Sequence, residues 1–531
     1  MGAVAGRVAA ALLAAFSLSA PAAMPRKAVK QFDVVEASIA ELQQAMASGR
    51  TTSRELTARY LARIKAIDKA GPRLHSVIEV NPDALAIAAA LDRERKSKGV
   101  RGPLHGVPIL VKDNIATADR MQTTAGSLAL VDARPPRDAF LVTRLRDAGA
   151  VIVGKTNLSE WANIRSTRST SGWSSRGGLT RNPYALDRSA SGSSSGSAVA
   201  VAASLAAAAV GTETDGSIIS PAAANGIVGI KPTLGLVSRG GVIPIAHSQD
   251  TAGPMARTVA DAAVLLAALA GTDPRDPATQ DASPRAADYT RHLDANALRG
   301  ARIGVVRAQF GGRNDLVAAE IEKALVVMKA QGAELVEIAE LPNAAKLGEN
   351  ELAVLLTELK ADMAAYLAEW APGAKVRNLA DIIAFNHANA AKVMPHFGQE
   401  FFVKAEATGG IEDKAYREAL AANRRLSREE GIDKVLAEHR LDALVAPSAG
   451  PAWLIDFIKG DASGGGFTTA AAVAGYPHVT VPAGFVQGLP CGISFVGTAW
   501  SEPRLIALAH AFEQATRHRR PPRFPKSVNA W

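Results

Sequence analysis

"SASGSSSGSA", Ser189 to Ala198, crowds serine and glycine into ten positions and then gives way to an alanine-rich run. Within it, Gly192-Ser193-Ser194-Ser195-Gly196 satisfies G-x-S-x-G, the turn that lifts a nucleophilic serine between a strand and a helix. The fold assignment depends on whether that match is genuine. Such an elbow needs an apolar strand running directly into it. The preceding residues, "TRNPYALDRSAS" (180–191), form a proline-containing loop instead. None of the later histidines stands in a setting that suggests a triad partner, so Ser194 is not read as a nucleophile and the elbow fold is set aside.

Outward from this stretch the chain reads as α/β. The alanines of "SAVAVAASLAAAAV" (197–210) predict a closely packed helix. The passage from Asn157 to Ser197 is too poor in apolar residues for core elements. About 40 such residues inside a continuous domain predict a long loop that lines a site. Upstream, "VPILV" (107–111) and "AVIV" (150–153) read as strands, with a helix from about Ala139 to Ala148 between them. Strands alternating with helices predict a buried sheet with helices on its faces. Nearer the N-terminus, Ser38-x-x-Glu41 and Thr52-x-x-Glu55 are capping boxes that each start a helix, and Asn81-Pro82 opens a third. The resulting division is a helical segment over about 34–98, a core over 100–260, a charged and mainly helical insertion over 270–440, and a last α/β portion over 441–531. That portion contains "LDALVAP" (441–447) and "HVTVPAG" (478–484).

Composition narrows the function classes. At 531 residues, 48% hydrophobic and 21% charged, the chain has the make-up of a globular protein with a sizeable core. Its net charge is +9, but the basic residues are dispersed. The one dense run, "RHRRPPRFPK" (517–526), carries three prolines and one aromatic and reads as a solvated tail, so no nucleic-acid partner is expected. Residues 1–24 combine one arginine, an apolar stretch from Val8 to Leu18, and Ala20-Pro21-Ala22. This pattern predicts a signal peptide over 1–23, a mature domain over 24–531, and an exported, periplasmic or secreted protein with no membrane span. Cys491 is the only cysteine, which excludes an intrachain disulfide and Cys-x-x-Cys sites, and H-E-x-x-H is absent. No metal or cofactor is expected.

Two further residues carry chemistry. Lys112 ends the apolar run of "VPILVKDN", where burial disfavours an ammonium and makes the amine a candidate base. Ser217 closes "TETDGS", a tight turn whose successive N–H groups over Thr214, Asp215, Gly216 and Ser217 can bind an oxyanion. With these residues in view, the chain resembles the amidase signature family over nearly all of its mature length. The resemblance rests on "GKTNLSEWANIRSTRSTSGWSSRGG" (154–178), "GTETDGSIISPAAANGIVGIKPT" (211–233) and "SQDTAGPMART" (248–258), and it is nearest to the peptide amidases.

That resemblance implies one large α/β domain with a central mixed β-sheet covered by helices on both faces. It also implies a Ser-cisSer-Lys triad: Ser217 as the acyl-forming nucleophile, Ser193 as the bridging serine after a cis peptide bond, and Lys112 as the base. The expected reaction is hydrolysis of linear carboxamides without metal or organic cofactor, with the C-terminal amides of peptides as substrates and small aliphatic, aryl or fatty acid amides as alternatives. The rivals are a non-catalytic binding protein and an amidotransferase subunit. The sequence departs from the family pattern at Ser191 and Ser195, where glycine is common, and at Ile219, where arginine often stands. The remaining residues of note read mainly as structural: His105 as a fixture of the strand approach, Asp113 and Asn114 as turn residues, Asp187 equally as a turn residue or as an orienter of the serine loop, and Trp161, Trp173 and Trp453 as packing groups that could line a pocket.

Overall fold

Strand β2 (Pro108–Lys112) is buried at every position, the lysine included. A strand loses all exposure when both edges are paired and both faces are covered, which is why its apolar residues run without alternation. The computed structural model describes residues 1–3, 32–310 and 315–528. The expected signal peptide, apart from Met1–Ala3, lies outside the described residues.

The strands of the main sheet, in chain order, are β1 (Val77–Val80), β2, β3 (Val151–Thr156), and, after a two-stranded hairpin of β4 (Trp173–Ser174) and β5 (Gly178–Leu179), β6 (Ala208–Glu213), β7 (Val228–Lys231), β8 (Thr251–Ala256), β9 (Arg302–Val306), β10 (Glu334–Ile338), β11 (Ala443–Pro447), β12 (His478–Val486) and β13 (Leu489–Val496). Eleven of them form one mixed sheet in the order β1-β3-β2-β6-β8-β7-β12-β13-β11-β9-β10. β2 runs parallel to both β3 and β6, whereas β6, β8, β7, β12, β13 and β11 pair antiparallel in turn. Helices flank this sheet, as the α/β reading predicts.

Both capping boxes form. They open α1 (Ile39–Ala47) and α2 (Ser53–Arg63), each with the hydroxyl and the glutamate satisfying the other's backbone. At the third start, Asn81 Oδ1 accepts the Asp83 N–H at 2.9 Å and α3 (Ala84–Lys98) follows. The helix between the first two predicted strands is α4 (Phe140–Asp147).

Three expectations are corrected. The alanine run is not one helix: α5 (Ser195–Ala202) ends early, Ser204 takes a φ of +53°, and Ala208-Ala209-Val210 belong to β6. Alanine's helix propensity is worth less here than pairing β6 between β2 and β8 at the middle of the sheet. Small residues are needed on this strand because α5 lies close. A Cβ on Gly211 would stand 2.9 Å from Ser194 Oγ and 2.8 Å from Met255 Sδ. The segment 270–440 is largely helical, with α7 (Val259–Leu269) just before it and α8 (Asp315–Ala330) and α9 (Ala344–Trp370) inside it. It also contributes β9 and β10, which extend the sheet in parallel beyond β11.

The basic C-terminal run is likewise not a free tail. Arg519 pairs with Glu36 at 2.7 and 2.8 Å and donates to the carbonyls of Gly226 and Ala202 at 2.8 and 3.0 Å. Further along, Phe524 N–H bonds Pro183 O and Leu186 N–H bonds Pro525 O, which straps the run across the start of the serine loop. Proline suits such a strap because it is extended and gives no N–H to leave unpaired. Because the Arg519 side chain is only 12% exposed, Arg519→Ala removes the donor from two carbonyls and the ion-pair partner of Glu36. It should cost about 2 kcal/mol in urea unfolding, while Arg517→Ala, at an exposed position, should change nothing measurable. Equal effects of the two would mean that the strap contributes no stability.

Candidate active site

Lys112 arrives at the C-terminal end of β2 fully buried, and its Nζ finds four oxygens: Ser193 Oγ at 2.8 Å, Ser194 Oγ at 3.0 Å, Thr212 Oγ1 at 2.8 Å and Thr212 O at 3.2 Å. All four partners are neutral, so nothing in direct contact offsets the lost hydration of an ammonium. Burial pulls the lysine down to about 7 against the opposing charges of Asp250 and Glu213. Half of the amines are therefore neutral near that pH.

The serine loop reaches the lysine across a close fit of small residues. The Gly192–Ser193 peptide bond is cis. Gly192 and Gly196 leave no room for side chains, since a Cβ on the first would stand 2.3 Å from Ser159 Oγ and one on the second 2.2 Å from Ser76 O. Ser191 takes a φ of +57°, and its carbonyl accepts from Ser195 Oγ at 2.5 Å. These two serines, unusual for the pattern, thus close the loop on itself. Ser194 is fully buried and turned onto β6, where Oγ donates to Thr212 O at 2.9 Å and receives the Thr212 N–H at 3.2 Å. No strand leads into it, so the structure bears out the rejection of the elbow.

The turn that follows β6 carries Ser217, 8% exposed, and is tied to the serine loop by Ser194 N–H to Ser217 O at 3.0 Å. Glu213 Oε2 accepts the N–H groups of Ile218 and Ile219, at 2.6 and 2.9 Å, and so fixes the start of α6 (Ile219–Ala224). Ile219 is buried there and brings no charge to the site. Gly216 has a φ of +74°, which places the turn in the left-handed region. Among the described residues the N–H groups of Asp215, Gly216 and Ser217 find no acceptor, and Asp215 and Gly216 border a cavity of about 550 Å³. Ser191, Gly192, Trp453 and Asp461 border it too. Unpaired N–H groups in succession on a tight turn are what an oxyanion requires.

Several supports are not apparent in the motifs. Asp250 accepts from Thr214 Oγ1 at 2.5 Å and from two backbone N–H groups, and burial lifts its carboxyl to about 6. Asp215 Oδ2 receives the Thr469 hydroxyl at 2.7 Å, and Asp215 also meets the carboxyl of Glu351, from α9. Burial first, and then the neighbouring Asp215 carboxyl, raise Glu351 well above the usual carboxylate range. Gln249 bridges Glu351 and Thr214 O at 2.8 and 3.3 Å. Further down α9, Asp362 and Glu358 take the N–H groups of His247 and Ser248, both at 2.9 Å. Residues 247–249 are therefore held by α9, more than 100 positions later in the chain.

The remaining sequence candidates separate cleanly. His105 is buried, with Nε2 3.0 Å from Leu91 O, and is a fixture of the approach to β2. Asp187 faces Arg188, not the serine loop. Trp161 packs edge-on against Phe402, and Trp173 against His396 and Phe397; of the three tryptophans only Trp453 lines the cavity. Asp113 is turned onto Arg176, Thr124 and Gly126, whereas Asn114 donates to Thr212 Oγ1 at 3.0 Å.

This fold and this cluster recur in known proteins. The sequence pattern described as Amidase matches residues 55–506, and the chain belongs to the amidase signature family. It is 43% identical over 503 residues to a probable amidase of Arabidopsis thaliana, covering 93% of this chain and 92% of that protein. The structure of native peptide amidase from Stenotrophomonas maltophilia is 55% identical, with a TM-score of 0.87 over 92% of this chain and 99% of that one. The chain is also 38% identical to a glutamyl-tRNA(Gln) amidotransferase subunit from Halorhodospira halophila, covering 90% of this chain and 97% of that protein. It is an amide-hydrolysing enzyme. With burial holding Lys112 near 7, kcat/KM should climb with pH through about 7 and then level as the neutral amine takes over. Lys112→Arg, which stays charged, should be inert throughout. A profile flat from pH 5 to 9 would rule out the lysine as the titrating group.

Proposed function

We propose that the enzyme hydrolyses C-terminal carboxamides of peptides through Ser217, Ser193 and Lys112. The observation that carries this reading is the buried contact from Lys112 Nζ to Ser193 Oγ at 2.8 Å, next to a turn with unpaired N–H groups at a cavity wall. Ser217 Oγ passes its proton to Ser193 as the proton of Ser193 moves to Lys112, and the freed oxygen bonds to the amide carbon. The carbonyl oxygen becomes an oxyanion on the N–H groups of the Thr214–Ser217 turn. Its collapse breaks the C–N bond, and the proton returns through Ser193 to the leaving nitrogen, which departs as ammonia. Water then attacks the acyl-enzyme along the same route in reverse.

Peptides as substrates are supported by 55% identity to a peptide amidase, against 38% to an amidotransferase subunit. A cavity of about 550 Å³ has room for more than a small aliphatic amide. The purified protein should release ammonia from a short peptide carboxamide while leaving its backbone bonds intact. Ser217→Ala should lower kcat by roughly 10⁴-fold or more, and Ser194→Ala far less. Turnover of acetamide or an aryl amide with none of the peptide would move the enzyme to another substrate class.

We further propose export, on the pattern of residues 1–24. Protein made in its own host should begin near residue 24 by N-terminal sequencing, and a mature chain starting at Met1 would refute it.

A further inference from the structure

A neutral amine offers two N–H donors and one lone pair, and Lys112 Nζ has four polar neighbours to share them among. Thr212 O can only accept. Ser194 Oγ commits its hydrogen to Thr212 O at 2.9 Å, so toward Lys112 it too can only accept. The two N–H groups of the amine therefore point at Thr212 O and Ser194 Oγ, at 3.2 and 3.0 Å. One lone pair then faces two hydroxyls, Ser193 Oγ and Thr212 Oγ1, both at 2.8 Å. In the proposed relay it is the Ser193 hydroxyl that stands between Lys112 and Ser217. A Thr212 hydrogen on that lone pair would block the base.

Thr212 Oγ1 has one more polar neighbour, the side-chain amide of Asn114 at 3.0 Å. With Nδ2 toward the hydroxyl, Asn114 Oδ1 is buried without a partner. A half-turn of the amide exchanges its two ends in the same space, and Oδ1 then takes the Thr212 hydrogen. Once Lys112 has taken the proton from Ser193, its third N–H points back at Ser193 Oγ and no lone pair is left on Nζ, so the Thr212 hydroxyl hydrogen again needs Asn114 Oδ1. One orientation of Asn114 serves both protonation states of the lysine, and the other serves neither.

From this count of donors and acceptors we infer that Asn114 is a positioning residue of the proton relay: its side-chain oxygen holds the Thr212 hydrogen and so reserves the lone pair of Lys112 for Ser193. The inference rests on Lys112 acting as the base. Asn114 touches none of the reacting atoms. The charges nearby are engaged elsewhere: Asp113 on Arg176, Lys155 on Ile115 O and Thr123, Glu213 on the start of α6, and Asp250 on Thr214 and the backbone of Ile245 and Ala246.

The test is a double-mutant cycle read as ammonia release, with melting temperatures recorded for each variant. Asn114→Leu should lower kcat by about 10- to 100-fold with KM unchanged, because the lone pair is lost to Thr212. In a Thr212→Val background, which has no competing hydrogen, the same change should have almost no further effect. Asn114→Asp keeps the acceptor but puts a carboxylate near the amine, so the rise of kcat with pH should move up by about one unit or more and activity should recover at high pH. Equal losses from Asn114→Leu in both backgrounds, or an unshifted profile for Asn114→Asp, would overturn the inference. Should Asn114→Leu fail to fold, the Asn114→Asp profile still decides. A fully active Lys112→Ala would instead defeat the reading of the base itself, whatever Asn114 does.

Discussion

An amine buried from solvent is the condition on which the rest of this structure depends. Lys112 sits at the end of a strand paired on both edges, and none of the four groups it touches is charged. A carboxylate at contact would stabilise the ammonium, and a water-filled neighbourhood would do the same. The protein has acidic groups close by, but Glu213 and Asp250 are turned to backbone N–H groups, where they organise the turn instead of pairing with the lysine. The same burial that weakens the lysine as a cation fits it for the proposed role of base. The large sheet and the long ordered loop are what keep water away.

How much of this can be read from the residues varies with how local the cause is. The capping boxes, the buried strand ending in Lys112 and the turn at Gly216-Ser217 each depend on a few neighbouring positions, and each is legible. The alanine run misleads because its helix propensity is local while the pairing that turns Ala208 to Val210 into a strand is not. β9 and β10 are short pieces in a charged segment, and their place in the sheet depends on β11, over 100 positions later. The basic run looks like a solvated tail because its partners, Glu36, Ala202 and Gly226, are scattered through the chain.

The site divides in the same way. Lys112, Ser193 and Ser217 stand in motifs, but Glu351 carries no local signal, and Gln249, although it stands in the segment 248–258, gains its role only from α9 laid beside residues 247–249. Asn114 and Thr212 each sit within a few positions of a motif residue, which is a signal of place but not of role. Their hydrogen-bond duties emerge only when the two strands are side by side.

Along β6 and into its turn, Thr212 turns its hydroxyl to the lysine, Glu213 its carboxylate to the first N–H groups of α6, and Thr214 its hydroxyl to Asp250. A strand alternates its faces with period two, so these assignments are locked in phase. A shift of one residue would exchange a hydroxyl for a carboxylate beside the buried amine and turn it back into a cation. The buried amine and the turn that carries Ser217 thus share one reading frame, and neither can be retuned by sliding the strand without disturbing the other.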